Sequence, residues 1–191
     1  MLYNVVLFLH ILGAVIMFMA ISILALSMLS LLHAKETEDV KRWSGLAVKT
    51  DALFPLSTLI IIVPALYLVF STWGWGIAWI NVSLAALLGT SFLGPVINLR
   101  RLKGILAAAE AETDSVPSSD LVRKVRDPVL WNSVSIMSML VFGILFLMAV
   151  KLPLVGSLIT MAIALVAGLV LARFMLAKTK PDTSADTVSF R

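Results

Sequence analysis

The chain has 191 residues, of which 60% are hydrophobic and 14% charged, with no cysteine and a formal charge of +4, and its mean hydropathy is +1.03. A soluble domain is about half apolar and about a quarter charged, so water is not the solvent this sequence suits, and the missing cysteine excludes disulfides, thiolate metal sites and thiol catalysis. Nucleic acid is excluded as a partner, because Lys and Arg gather at the ends of apolar runs, where membrane orientation accounts for them.

A helix needs roughly 20 apolar residues to cross a hydrocarbon core about 30 Å thick, and five runs meet that length in chain order. The first covers residues 5–32, interrupted by His10 and closed by the charged stretch from His33 to Asp39. Its N-terminal flank carries no Lys or Arg and the run exceeds a signal-peptide core, so it is expected to stay in the mature protein. Its length predicts tilt.

Between the first two runs, Val40, Trp43 and Ala47 recur at helical spacing, which predicts a short helix lying on the cytoplasmic membrane surface. The second run, 52–70, follows Thr50 and Asp51, both good N-cap residues, and contains Pro64, which removes a backbone bond and predicts a kink. Only Ser71 to Trp75 separate it from the third run, 76–97, so these two helices are antiparallel neighbours. Beyond Gly94 and Pro95, the Ala-rich stretch 102–111 extends the third helix into water until residues 113–119 break it, and 121–126 form one more turn.

Asp127 and Pro128 read as an N-cap with proline at the first helical position, opening the fourth run, 129–150. Lys151, Leu152 and Pro153 make a minimal turn into the fifth, 154–177, and a polar cytoplasmic tail, 178–191, without apolar periodicity, is expected to be disordered.

Orientation follows from the cations. Fourteen of the fifteen Lys and Arg fall in the first connection, the third connection and the C-terminal region, and only Lys151 falls elsewhere. With five spans those two sets lie on opposite faces, so the positive-inside rule places the N-terminus outside and the C-terminus in the cytoplasm. Trp73, Trp75 and Trp79 then lie at the outer boundary and Trp43 and Trp131 at the inner one, where amphipathic rings favour the headgroup level.

Few residues could carry chemistry. His10 is the one ionisable group well inside a predicted span, roughly 5 to 8 Å below the outer boundary at 1.5 Å per residue. Intramembrane ionisable groups are functional candidates because uncompensated ones are expensive. One reading makes His10 an axial ligand to haem or another metal, or a proton-transfer group beside a quinone. The other makes it a neutral imidazole bonded to Tyr67, Asn81 or Ser83, which sit at similar depth. Met161 is the depth-matched candidate for a second haem ligand, although methionine is commonly a packing residue.

In the fifth run Gly156, Thr160, Ala164, Gly168 and Ala172 recur at four-residue spacing, a small-residue face that lets backbones approach closely. It serves either packing within the bundle or contact with a second copy or a membrane partner. Asn132, Ser133, Ser135 and Ser138 make the cytoplasmic half of the fourth run polar; they could line a small aqueous pocket, but the favoured expectation is that these hydroxyls bond their own helix carbonyls. No serine-hydrolase elbow, phosphate loop or zinc-peptidase motif occurs, and every Asp and Glu is expected on the cytoplasmic side.

Leu9, His10, Ile11, Leu12, Gly13 and Ala14, then Pro64, Ala65, Leu66 and Tyr67, with Trp79, Ser83, Gly94 and Pro95, together resemble a bacterial family of integral membrane proteins, domain-of-unknown-function family 2269. The resemblance spans most of the chain. That family is distantly similar to the copper-resistance D proteins and to the J-type protoporphyrinogen oxidase, whose first helix carries an intramembrane histidine linked to haem; by that resemblance His10 matches it. The implied setting is the bacterial inner membrane.

Three readings follow. The favoured one is a non-enzymatic inner-membrane accessory or binding module; the second is a haem- or quinone-associated redox protein using His10; the third, resting on polytopic architecture alone, is a small-solute transporter.

Overall fold

A computed structural model describes residues 1–178. Its helices are α1 (Leu2–His33), α2 (Thr37–Asp51), α3 (Phe54–Leu68), α4 (Ala78–Gly94), α5 (Arg100–Ala111), α6 (Ser119–Val125), α7 (Pro128–Val150) and α8 (Leu154–Lys178), with π-helical turns at Val69–Trp73 and Pro95–Leu99. Five helical stretches are long and apolar enough to cross a membrane: Leu2–His33, Thr37–Trp73, Ala78–Ala111, Ser119–Val150 and Leu154–Lys178. The chain is an all-α, multi-pass membrane protein built as a five-helix bundle, as its hydropathy predicts. The tail expectation, 178–191, lies outside the described residues except for Lys178, which ends α8.

The spanning helices are apolar all round, so their outward residues, among them Phe8, Leu59, Phe92, Ile163 and Phe174, remain exposed, as suits a helix whose solvent is lipid. Within the bundle α7 pairs most extensively with α8, and α1 with α3. Asp127 opens α7 as foreseen, its carboxylate accepting from the Val129 N–H at 3.0 Å, with Pro128 next. At the other end Lys151 takes a left-handed conformation (φ 58°) and its N–H returns to Leu147 O, which makes the three-residue link Lys151, Leu152, Pro153 into α8 possible.

Two cores form at opposite ends. One gathers Ile61, Val69, Trp79, Ile80 and Leu147. The other joins the ends of α1, α7 and α8 to the short helices through Leu31, Val40, Leu102, Ile105, Leu121 and Trp131. The basic connections therefore share one end of the molecule, the arrangement that five spans require.

Three local expectations change. Helix α2 is helical over its whole predicted segment, but it does not rest its apolar face on lipid: Val40, Ser44 and Ala47 are fully buried against α1 and α5. A continuation of α4 through the π-turn into α5 brings a protein surface under α2 that the sequence did not reveal. Trp131 is buried too, its indole N–H donating to Val125 O at 3.0 Å, and Trp79 packs inside the core of Ile61 and Leu147 against Trp73. These two rings are core residues, not headgroup anchors. Thr50 and Asp51 do not cap the second span; α2 runs through both, and α3 starts from Leu53 without a side-chain cap.

Candidate functional site

Polar groups are brought together inside the bundle at two places, one at each end. At the N-terminal end His10 is 6% exposed, and its Nδ1 lies 3.0 Å from Ile61 O. A carbonyl only accepts, so Nδ1 carries a proton and donates it to Ile61 O. The bond ties α1 to α3 one turn from Gly13, where an added Cβ would lie 2.9 Å from Ile61 Cγ1 and 3.2 Å from Ile61 N. Pro64 offers no N–H to Ile60 O, which loosens the helical ladder one residue from the carbonyl that His10 uses. His10 thus bonds to backbone, not to Tyr67, Asn81 or Ser83.

Those three residues separate. Tyr67 is 41% exposed on the outer surface. Asn81 turns to the loop, its Nδ2 donating to Trp75 O at 2.8 Å. Ser83 is buried, lines a cavity of about 40 Å³ with His10, Ile80 and Met148, and its Oγ has no partner. A second cavity of about 30 Å³ touches His10 from the side of Met17, Ile144 and Met148.

A haem fits this arrangement only in part. A backbone carbonyl holding one ring nitrogen is an arrangement that metal-ligating histidines adopt. Met161, however, borders neither His10 cavity; it packs against the α7 residue Gly143. His10 and Met161 are not brought together, and the space beside His10 suits a group of a few atoms, far less than a porphyrin.

The small-residue face of α8 is closed within the chain at Ala164, Gly168 and Ala172. A Cβ on Gly168 would stand 2.5 Å from Ile136 Cα and 3.0 Å from Ser135 O, and Ala164 and Ala172 are buried on the same side. Thr160 and Gly156 continue it, the threonine hydroxyl donating to Gly156 O. Of the two uses open from sequence, packing against α7 is what Ala164 and Gly168 do, while Gly156 and Thr160 are half-buried. A partner reaching α8 would meet its outward side, Val155, Ile159, Ile163 and Val170.

The second polar place lies toward the other end, and of the residues weighed for a polar pocket it takes Ser138. A cavity of about 50 Å³ lies between α1, α3, α4 and α7, walled by Met17, Ile21, Leu24, Phe54, Val134 and Val141 and edged by Asp51, Thr58, Thr90, Ser91, Asn98 and Ser138. Asp51 and Asn98 are each 3% exposed. Among the described residues Asp51 Oδ2 and Asn98 Oδ1 have no hydrogen-bond partner, and Asp51 belongs to none of the ion pairs. A buried carboxylate is expensive unless something compensates it.

Local structure explains both placements. Asp51 ends α2 at the bend into α3, which turns its side chain inward. Asn98 is the one buried residue of the π-turn Pro95–Leu99; a π-turn inserts a residue relative to α geometry, and such turns recur at functional sites. Counting 3.6 residues per turn along the third run could not find it. Of the polar residues in the fourth run only Ser138 reaches the cavity, and its hydroxyl donates to Val134 O, as expected from sequence. Asn132 Oδ1 is left unpartnered elsewhere.

Comparison with known families, curated proteins and solved structures returns no match.

Proposed function

We propose that the chain is a bacterial inner-membrane protein that works as a non-enzymatic binding module, with its N-terminus outside, its C-terminus in the cytoplasm and its site at the Asp51–Asn98 cavity. The observation that carries the reading is the pair of buried, unpartnered oxygens, Asp51 Oδ2 and Asn98 Oδ1, edging one cavity. Buried polar groups in proteins are ordinarily satisfied, so two orphans beside one space point to something that enters it. The bilayer setting comes from the five apolar spans; the inner-membrane assignment comes from the family resemblance.

The test is thermal unfolding of detergent-extracted protein against a panel of ions and small solutes, beside Ser138→Leu, which fills the cavity. A ligand that binds only the folded state raises the midpoint with its concentration. Stabilisation in the native chain and none in the filled variant supports the module; identical responses in both sink it.

A second reading makes His10 the working residue of a redox protein, favoured by its place in the lining of the same cavity as the unpartnered Ser83 Oγ. Oxidised and dithionite-reduced spectra of gently extracted protein decide it. A Soret band lost in His10→Ala supports haem, and bound quinone lost in the same variant supports the quinone form. Retention of neither removes the reading.

A further inference from the structure

We propose that the Asp51–Asn98 cavity is a site for a small monovalent cation, of the size of sodium, potassium or ammonium. This names the ligand class of the binding-module reading and rests on it.

The donors and acceptors around the space decide the sign of the ligand. Ser138 Oγ commits its proton to Val134 O, Thr90 Oγ1 to the carbonyls of Ala86 and Leu87, and Ser91 Oγ to Leu87 O or Thr58 Oγ1. Each of these hydroxyls can therefore offer the cavity only lone pairs. Asn98 directs its NH₂ to Met137 Sδ at 3.4 Å, a weak acceptor, which leaves Oδ1 free. Among the described residues no Lys, Arg or His edges the space. The lining is acceptor-rich and holds one carboxylate, Asp51; the remaining protons, on Thr58 Oγ1 and the second on Asn98 Nδ2, leave Asp51 Oδ2 without a partner among the described residues.

Charge and size then narrow the class. One carboxylate with neutral amide and hydroxyl oxygens is a hard donor set whose charge a single positive charge balances. Divalent sites generally draw on more carboxylates, and among the described residues no group of three or more His, Cys, Asp or Glu could hold a metal ion. About 50 Å³ admits an ion with one or two waters, a water needing at least about 10–15 Å³; bulky organic cations are too large. A cation also balances the charge of the buried carboxylate, which a neutral solute does not.

The experiment uses full-length protein purified in sodium-free, potassium-free buffer with N-methylglucamine as the bulk cation. Tryptophan fluorescence reports unfolding as NaCl, KCl or NH₄Cl replaces N-methylglucamine chloride at constant ionic strength, and radioactive sodium measures direct binding. The expected result is a saturable midpoint rise for at least one ion, absent in Asp51→Asn. In Asn98→Ala its half-saturating concentration rises about tenfold, the loss of one coordinating oxygen being comparable to one charge-assisted hydrogen bond. Ser138→Leu blocks it as well.

Superposition of all salts on N-methylglucamine overturns the proposal, as does a cation response that survives in Asp51→Asn. If Asp51→Asn does not fold, Asn98→Ala and the native titration decide between the same outcomes. A neutral solute that stabilises the native chain but not Ser138→Leu, with no cation effect, leaves the binding module standing and removes only the cation.

Discussion

At the scale of single residues, helix contact in this protein is set by atoms that cannot move away. Gly168 faces the backbone of Ile136 and Ser135, with an added Cβ at 2.5 Å from Ile136 Cα, so α7 and α8 must separate to admit a methyl group. Gly168→Ala is expected to destabilise by about 1–3 kcal/mol, the usual range for overpacking. Gly89 sits within α4 with nothing inside 4 Å of the same construction. There alanine should be neutral or stabilising by up to about 1 kcal/mol from helix propensity alone. Thermal melts of the two variants in one detergent separate a packing glycine from a tolerated one; equal behaviour would contradict the α7–α8 geometry. His10 is judged by the same kind of pair. Asparagine can place an N–H close to where Nδ1 stands, so His10→Asn should keep the bond to Ile61 O while His10→Ala loses it. Since hydrogen bonds between membrane helices average about 0.6 kcal/mol, the difference between the two variants should be about that size, plus the larger space left by alanine. An alanine variant as stable as asparagine would mean the bond holds nothing.

At the scale of elements, the short helices outside the spans are docked by a few directional contacts. Asp127 accepts the Val129 N–H at the start of α7 and pairs with Arg101 of α5. Both charges of that pair are partly exposed, 41% for Arg101 and 21% for Asp127, and such pairs contribute little, whereas loss of an N-cap costs about 1 kcal/mol. Asp127→Asn should therefore remain near the native stability and Asp127→Ala should fall by about 1 kcal/mol, read as unfolding midpoints at low and high salt. If asparagine falls as far as alanine, and salt erases the difference from the native chain, the ion pair and not the cap holds the junction.

How much of this was legible follows from the same elements. Asp127–Pro128 could be read because capping is local: an oxygen and the N–H two residues on. The five spans could be read because hydropathy sums over many residues. Asp51 could not, since a polar residue at a helix boundary looks the same whether it caps, faces water or turns inward, and only the angle between α2 and α3 decides. Asn98 was hidden by the π-turn, which shifts the helical phase. Trp131 reads as a headgroup anchor and Val40 as part of a helix on the membrane surface because α5 and α6, which bury them, are short and polar in composition. The histidine was found, its partner was not: a backbone carbonyl such as Ile61 O leaves no mark in a sequence.

At the scale of the whole molecule, everything assigned to one face or the other depends on orientation, and the chain permits a clean measurement because it contains no cysteine. Single cysteines can be placed at Gly76, in the loop between the second and third spans, and at Asp114, between α5 and α6. The distribution of Lys and Arg predicts that a membrane-impermeant maleimide labels Gly76→Cys in intact cells from outside and reaches Asp114→Cys only after the membrane is opened. The consequence extends to the cavity. Thr37–Asp51 and Arg100–Ala111 belong to the same end as Asp114, so that labelling pattern would put Asp51 on the cytoplasmic side, where a bound cation exchanges with the cytoplasmic pool. The reverse pattern would turn the molecule over, place the basic connections outside, and make the same carboxyl a sensor of the external medium. Labelling of both cysteines from outside would break the alternation of five spans and with it the shared end that α2, α5 and α6 build.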